Sequence, residues 1–172
     1  MNVCTPTLSG ATCCFTGHRK IDPDVKAALT EQVNALIGEL YGLGIRTFRC
    51  GGAVGFDTLA AVEVIRRRML DAPEARLVLV LPCRDQAAKW SHTDRALYEQ
   101  ILARANEVVY VADTYSRENM LLRDRALVDG CGICVAYLNG TRGGTAYTVR
   151  YAEKSHIRVI NLGDAATQEV II

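Results

Sequence analysis

Two glycine-rich segments have the residue types needed to bind a phosphate group. The first is CGGAVGFD at residues 50–57, and the second is NGTRGGT at residues 139–145. Each segment follows an apolar run and precedes a helical pattern. Glycines let backbone amides approach an anion without an intervening side chain, and a helix N-terminus adds free N–H donors and positive partial charge. The pattern predicts phosphate contacts at Gly51, Gly52, Gly55, Gly143, Gly144 and Thr145.

Neither segment carries the sequence of a well-known nucleotide-binding loop. No Lys-Ser or Lys-Thr pair follows the glycines, and neither segment matches G-x-G-x-x-G. ATP hydrolysis and ordinary dinucleotide oxidoreduction are therefore disfavoured. A tight strand-to-helix turn without a ligand is the alternative for each segment. Two such segments in one predicted sheet favour a single nucleotide site.

Charged and aromatic side chains near these segments suggest further contacts. Asp57 lies in the first turn of its helix, where it would repel a phosphate, so a ribose hydroxyl pair is the expected contact and a helix cap is the alternative. Arg19 and Arg123 could form bidentate phosphate contacts, or be surface arginines. Trp90, the only tryptophan, could stack on a base or close the cleft, although core packing fits equally well.

No metal site and no disulfide framework is expected. His18, His92 and His156 form no metal-ligand spacing with each other or with the cysteines. Seven cysteines is an odd number, and several lie in apolar runs, which indicates reduced, buried thiols. Cys131 and Cys134 have redox spacing, but they open an apparent strand in which positions three apart point to opposite faces.

Composition indicates one domain and identifies no partner. The chain has 172 residues, with 20 basic and 19 acidic residues and a formal net charge of +1. This balance makes nucleic acid an unlikely partner, although it does not exclude a local basic patch. The apolar runs are far shorter than the roughly 20 residues that cross a bilayer, and no cleavable leader precedes the first strand. We therefore expect no membrane association and a cytoplasmic location.

Apolar runs and helical patterns alternate along the chain. This alternation predicts an α/β fold, a single Rossmann-like three-layer domain with a mainly parallel sheet. The domain should span residues 11–162, between an N-terminal extension at 1–10 and a C-terminal tail at 163–172. Strands are predicted at 11–16, 46–50, 76–81, 107–111, 132–138 and 158–161, and helices from about 23 to 42, from the first glycine segment to about 69, and at 91–105, 117–128 and 145–154.

Four polar loops follow predicted strands at their carboxyl ends. They are the two glycine segments, residues 16–19, which read TGHR, and residues 82–85, which read PCRD. Ligands of open parallel sheets bind outside the carboxyl ends of the strands. The four loops are therefore expected to share one cleft.

Several of these motifs, taken in order, resemble the YpsA-like proteins. They are TGHR at 16–19, GGAVGFD at 51–57, Gln86 with Trp90, Arg123, and GGT at 143–145. That family belongs to the SLOG superfamily of Rossmann-like domains, which includes the Lonely Guy phosphoribohydrolases and the DNA-processing protein of natural transformation. The resemblance implies a nucleotide-derived ligand such as ADP-ribose or NAD, no required cofactor, and a homodimer. It assigns ligand contacts to Thr16, Gly17, His18, Arg19, Ala53, Trp90 and Arg123, besides the glycine segments and Asp57.

Two positions depart from the pattern of these relatives. Many of them have a glutamate directly after the Ala-Ala pair, whereas here Val62 intervenes and Glu63 follows. The arginine of the central helix is usually followed by asparagine. Here Asp124 takes that position and adds a negative charge near the expected phosphate.

Three functions compete. The leading hypothesis is a nucleotide-binding sensor or regulatory module. The second is a nucleoside 5'-monophosphate phosphoribohydrolase, but the glutamate that such relatives carry after their glycine turn is missing, so only Asp57 or Glu63 could substitute. The third is single-stranded DNA binding, for which a content of 6% aromatic residues and a balanced charge offer little support.

Overall fold

The computed structural model describes residues 12–164, so the predicted N-terminal extension and most of the predicted tail lie outside the described residues. Strands and helices alternate throughout this range. The strands are β1 (Thr12–Gly17), β2 (Thr47–Cys50), β3 (Arg76–Leu81), β4 (Glu107–Tyr110), β5 (Ile133–Tyr137) and β6 (Arg158–Asn161). The helices are α1 (Pro23–Gly42), α2 (Phe56–Leu70), α3 (His92–Arg104), α4 (Arg117–Val128) and α5 (Gly144–Lys154).

The strands form one sheet in the order β4-β3-β2-β1-β5-β6, and each observed pair is parallel. The chain starts at β1, moves outward to β4, and returns to place β5 on the other side of β1. The strand order therefore reverses between β1 and β5. This reversal is the place where doubly wound sheets leave a crevice for a ligand.

Helices cover both faces of the sheet, which confirms the predicted three-layer α/β fold. One core contains Phe15, Phe48 and Phe56 with the buried sides of α1, α2 and α3. A smaller core packs Leu127 and Val128 of α4, together with α5, against the opposite face. The strands β1, β3 and β5 are thus buried on both sides along most of their length, as their continuous apolar runs require.

Helices α1, α3 and α4 begin with the expected capping chemistry. The Asp22 side chain accepts a hydrogen bond from the Asp24 N–H at 2.9 Å, and Pro23 occupies the first helical position of α1. Ser91 and Ser116 cap α3 and α4 in the same way. Within residues 12–164, no helix is long and apolar enough to cross a membrane.

The six described cysteines are buried and free, as predicted for reduced thiols. The predicted geometry of the Cys131 and Cys134 pair is wrong. Cys131 precedes β5, where strand alternation does not apply, and its thiol donates to the Leu127 carbonyl at 3.3 Å. Cys131 and Cys134 lie on the same side of the sheet, in one apolar cluster with Cys14.

Candidate functional site

A cavity of about 810 Å³ opens at the carboxyl edge of the sheet, beside the switch point between β1 and β5. Its volume falls in the range of pockets that hold small organic ligands. The loop after β1, the start of α5 and the first half of α4 provide most of its walls. Among the sequence-predicted residues, the lining includes Thr16, Gly17, His18, Arg19, Ala53, Asp57, Arg123, Gly143, Gly144 and Thr145.

The N-terminus of α5 is open toward this cavity. Gly143 is its N-cap residue with φ 96°, a conformation that favours glycine. Among the described residues no side chain caps this helix, and its first turn holds no acidic residue. A Cβ at Gly144 would approach only Asp124 Oδ2, at 3.9 Å. The backbone N–H groups of the first turn are therefore accessible to an anion in the cavity.

The loop after β1 forms a second wall and is tied to the loop after β5. The Asn139 N–H donates to Nε2 of His18 at 2.8 Å. The same nitrogen also lies 3.1 Å from the Asn139 carbonyl oxygen, so the ring contacts both backbone groups of Asn139. Gly17 is required by packing, because a Cβ there would lie 2.5 Å from the Phe56 side chain. Arg19 follows with an exposed side chain at the cavity wall.

Arg123 forms the charged floor of the cavity with two carboxylates. Its Nη1 donates to the Gly51 carbonyl at 2.7 Å and lies 3.8 Å from Asp57 Oδ2. Its Nε lies 3.0 Å from Asp124 Oδ1, but the angle is not that of a hydrogen bond, so this buried N–H has no hydrogen-bond partner in the described residues. The side chains of all three residues are at most 10% exposed.

Burial weakens the acidity of both carboxyl groups. It raises the pKa of Asp57 from 3.8 to about 6, although the Arg123 guanidinium and the Ala53 N–H favour the ionised form. Burial also raises the pKa of Asp124, again against the opposing effect of Arg123. The Asp57 carboxylate accepts a hydrogen bond from the Ala53 N–H at 3.3 Å. It also faces Arg123 and lines the cavity. Its predicted contact with a ribose hydroxyl stays a prediction.

The glycines of the first segment do not line the cavity, unlike Gly143 and Gly144 of the second segment. Gly51, Gly52 and Gly55 lie outside its lining, to which the first segment contributes only Ala53 and Asp57. The two glycine segments flank β1, as predicted, but they do not face one common phosphate position. Their predicted phosphate contacts stay a prediction.

Tight packing explains the glycines after β2. A Cβ on Gly52 would overlap the Leu81 side chain, and a Cβ on Gly55 would overlap the Arg19 carbonyl. Both glycines also have positive φ, 71° and 87°. These positions require glycine to form the turn itself, with or without a ligand.

Trp90 also lies away from the cavity lining. Its ring makes an edge-to-face contact with Tyr98, with the ring centres 5.1 Å apart. Gln86 donates to the Tyr98 hydroxyl at 3.1 Å and to the Gly52 carbonyl at 3.5 Å. The structure thus gives Gln86 and Trp90 a role in supporting the first glycine turn.

The two departures from the family pattern have different positions. Asp124 lines the cavity, as described above. Glu63 instead accepts a hydrogen bond from Asn34 at 2.6 Å and lies 3.8 Å from Arg66. It lines a separate cavity of about 630 Å³ beside α1 and α2, so it is remote from the charged floor.

Sequence reasoning missed several cavity residues. Tyr115, Arg117, Met120 and Leu121 lie on the loop after β4 and the first turns of α4, and Arg150 comes from α5. The rule that ligands bind at the carboxyl ends of strands applies to β4 as well. Applied to β4, the rule predicts a contact from the loop that contains Tyr115. Between residues 12 and 164, no group of three or more His, Cys, Asp or Glu side chains is arranged to hold a metal ion.

An all-parallel sheet covered by helices on both faces, with a cavity beside its switch point, defines a Rossmann-like α/β protein. The chain belongs to the YspA SLOG family, because the family model YpsA matches residues 13–161. This finding confirms the resemblance to YpsA-like proteins. A relative is the uncharacterised SPbeta prophage-derived protein YoqJ of Bacillus subtilis (strain 168), which is 24% identical over 64% of this chain and 71% of its own length.

Two solved structures share the fold. DNA processing protein A from Streptococcus pneumoniae has a TM-score of 0.65 and 15% identity, covering 96% of this chain and 57% of that chain. DNA processing protein A from Helicobacter pylori, whose structure concerns a single-stranded DNA binding mode, has a TM-score of 0.61 and 17% identity, covering 90% of this chain and 66% of that chain. This chain thus spans less than two thirds of either protein.

Proposed function

We propose that this protein binds a nucleotide-derived ligand in the cavity between α4 and α5, as a sensor or regulatory module. The ligand class comprises ADP-ribose, NAD and nucleoside phosphates. Its phosphate occupies the N-terminus of α5, where the peptide N–H groups of the first turn donate to it. The cavity volume of about 810 Å³ leaves room for more than the phosphate alone.

One observation carries this proposal: the open N-terminus of α5. Among the described residues, no atom lies close enough to a Cβ at Gly144 to require glycine there, and its φ is not in the left-handed region. A side chain at this position would instead extend toward the cavity that Gly144 lines. The absence of that side chain is explained if a ligand must approach the backbone there.

The charges around the cavity favour an anion. Its lining contains four arginines and two aspartates within the described range. Arg19, Arg117 and Arg150 have exposed side chains at the walls, where guanidinium groups can make bidentate contacts with phosphate. Arg123 lies beneath them and is occupied by Asp57 and Asp124. Arg19 and Arg150 are therefore the direct phosphate ligands, and Arg117 adds positive charge on the α4 wall.

A second candidate function is hydrolysis of the N-glycosidic bond of a nucleoside monophosphate. The observation that favours it is the Asp57 carboxyl, which lines the cavity with its pKa raised to about 6 by burial. Such a group can exchange a proton near neutral pH. Release of free base from AMP, and its loss in Asp57→Asn, would support this reaction.

The likeness to a single-stranded DNA-binding protein makes DNA a ligand that the experiment must include. A complex held by phosphate contacts weakens steeply as salt concentration rises. Binding of short single-stranded DNA with a steep salt dependence, and no binding of mononucleotides, would replace the proposal with a nucleic-acid function.

Thermal unfolding with a panel of ligands tests the proposal. The panel contains AMP, ADP, ADP-ribose, NAD, inorganic phosphate and short single-stranded DNA, and each mixture is afterwards analysed for free base. A ligand at about 100 times its Kd adds roughly 2.7 kcal/mol to the free energy of unfolding. We expect stabilisation by an intact nucleotide without breakdown. No stabilisation by any nucleotide in the panel contradicts the proposal.

A further inference from the structure

We propose that Tyr115 is the stacking platform for the base of the bound nucleotide, an inference that rests on the proposed function. It assigns the two ends of the ligand to opposite walls. The phosphate lies at Gly144 on α5, and the aromatic base lies against the loop after β4 and the start of α4. The specificity for a base-bearing ligand therefore resides in Tyr115 and not in Trp90.

Tyr115 is an aromatic side chain left exposed in a concave wall. It is 62% exposed, yet it lines the cavity. With the other residues of the range 12–164, it makes no hydrogen bond, ion pair or aromatic ring contact. An exposed ring without an aromatic partner within the described residues offers aromatic surface to a planar ligand.

The surroundings of Tyr115 suit a base better than a phosphate. Met120 and Leu121 are half-buried and line the cavity on the same side. Together with Tyr115 they form an apolar part of this wall next to Arg117, whereas the opposite wall holds Gly144 and Arg150. A ligand with one flat apolar end and one anionic end matches this division.

The location also favours a base over a docked protein. Tyr115 faces the same cavity as the open N-terminus of α5, so a ligand of nucleotide size contacts both features at once. Base stacking on an aromatic side chain tolerates different bases, because every base has a π-face. Tyr115 thus selects for a base-bearing ligand without selecting a particular base.

Calorimetric titration with AMP and with ribose 5-phosphate separates the two ends of the ligand. Tyr115→Ala should bind AMP about tenfold or more weakly than the unmodified protein. Its affinity for ribose 5-phosphate, measured directly or by competition with AMP, should be unchanged because that molecule lacks the base. Tyr115→Phe should retain AMP affinity, because stacking does not need the hydroxyl.

Leu122→Ala is the matched control. Leu122 is 50% exposed on the same helix as Met120 and Leu121, but it does not line the cavity. Its substitution should leave both affinities unchanged. All variants should keep the Tm of the parent protein, since neither Tyr115 nor Leu122 is buried.

The outcomes separate this inference from the function on which it rests. If the unmodified protein binds AMP and Tyr115→Ala binds it equally well, the stacking role is wrong while nucleotide binding stands. Equal weakening of AMP and ribose 5-phosphate likewise overturns it, because the effect then does not concern the base. If the unmodified protein binds neither compound and no nucleotide of the panel, both proposals fail.

Discussion

The guanidinium of Arg123 faces the carboxylate of Asp57 across the floor of the cavity, with Arg123 Nη1 3.8 Å from Asp57 Oδ2. The same nitrogen donates to the Gly51 carbonyl at 2.7 Å. Helix α4 is thereby linked to the turn between β2 and α2. Because these groups are buried, their contacts stabilise the shape of the cavity and also determine its charge.

Loss of Arg123 should destabilise the fold. Arg123→Met leaves Asp57 and Asp124 buried without their cation, which costs about 3–5 kcal/mol when such a pair is broken. The cost should be smaller at low pH, where both carboxyls are protonated. Urea unfolding at about pH 5 and at about pH 8 measures the difference. Arg125→Met is the control, since Arg125 is exposed on the same helix, and an equally small effect of both substitutions contradicts the account.

The raised pKa of Asp57 predicts a specific pH dependence of stability. Burial raises this pKa from 3.8 to about 6, so the folded state binds more protons than the unfolded state within that window. The free energy of unfolding therefore falls as pH rises from about 4 to about 6, by about 2 of the roughly 3 kcal/mol that the full titration of this group contributes.

Asp57→Asn removes this titration and provides the comparison. The stability of the unmodified protein relative to Asp57→Asn should decrease as pH rises through the same window. Asp124 acts in the same direction but is present in both proteins. A constant difference between the two proteins at every pH, measured by urea unfolding, would show that Asp57 is not shifted.

The glycines after β2 should be needed for folding. Gly52→Ala places a Cβ against the Leu81 side chain at φ 71°, and Gly55→Ala places one against the Arg19 carbonyl at φ 87°. Each substitution should cost more than about 1 kcal/mol of stability. Gly42→Ala is a suitable control in the same unfolding assay, because a Cβ there meets no heavy atom of residues 12–164 within 4 Å. Full stability of Gly52→Ala and Gly55→Ala is the contrary result.

Trp90 should have no direct effect on ligand affinity. Its ring packs on Tyr98 and lies outside the cavity lining. Trp90→Phe should preserve that aromatic contact and change the affinity for a nucleotide of the panel by less than about twofold, an energy well below that of base stacking. Titration calorimetry gives the affinity, and a loss of tenfold or more would place Trp90 at the ligand.

The fold was largely predictable because its signals are local. Continuous apolar runs mark β3 and β5 as strands buried on both faces, and α4 has the predicted bounds, Arg117–Val128. The bounds of β3 and β6 are also as predicted, and the other strand boundaries differ by at most one residue. For example, β1 extends to Gly17, which pairs with Tyr137 of β5, and the sequence contains no local signal for such a partner.

The site was less predictable because it depends on packing between distant segments. Gly52 and Gly144 look alike in sequence, but Leu81 fills the space beside Gly52 while the space beside Gly144 is open. The roles of Trp90 and Tyr115 differ for the same reason. Only the folded structure shows that Trp90 contacts Tyr98 and that Tyr115 faces the cavity.

The Gly144→Ala variant tests the central claim most directly. Within the described part of the chain, a Cβ there meets only Asp124 Oδ2, at 3.9 Å. Because alanine also restricts the unfolded chain, the variant should be as stable as the parent or more stable by about 0.4–1 kcal/mol. Gly42→Ala again serves as the control, outside the cavity. The measurement is the Kd of the nucleotide that stabilises the parent protein most. We predict that Gly144→Ala weakens this binding at least tenfold while Gly42→Ala does not; unchanged affinity in a folded Gly144→Ala protein would contradict phosphate binding at the N-terminus of α5.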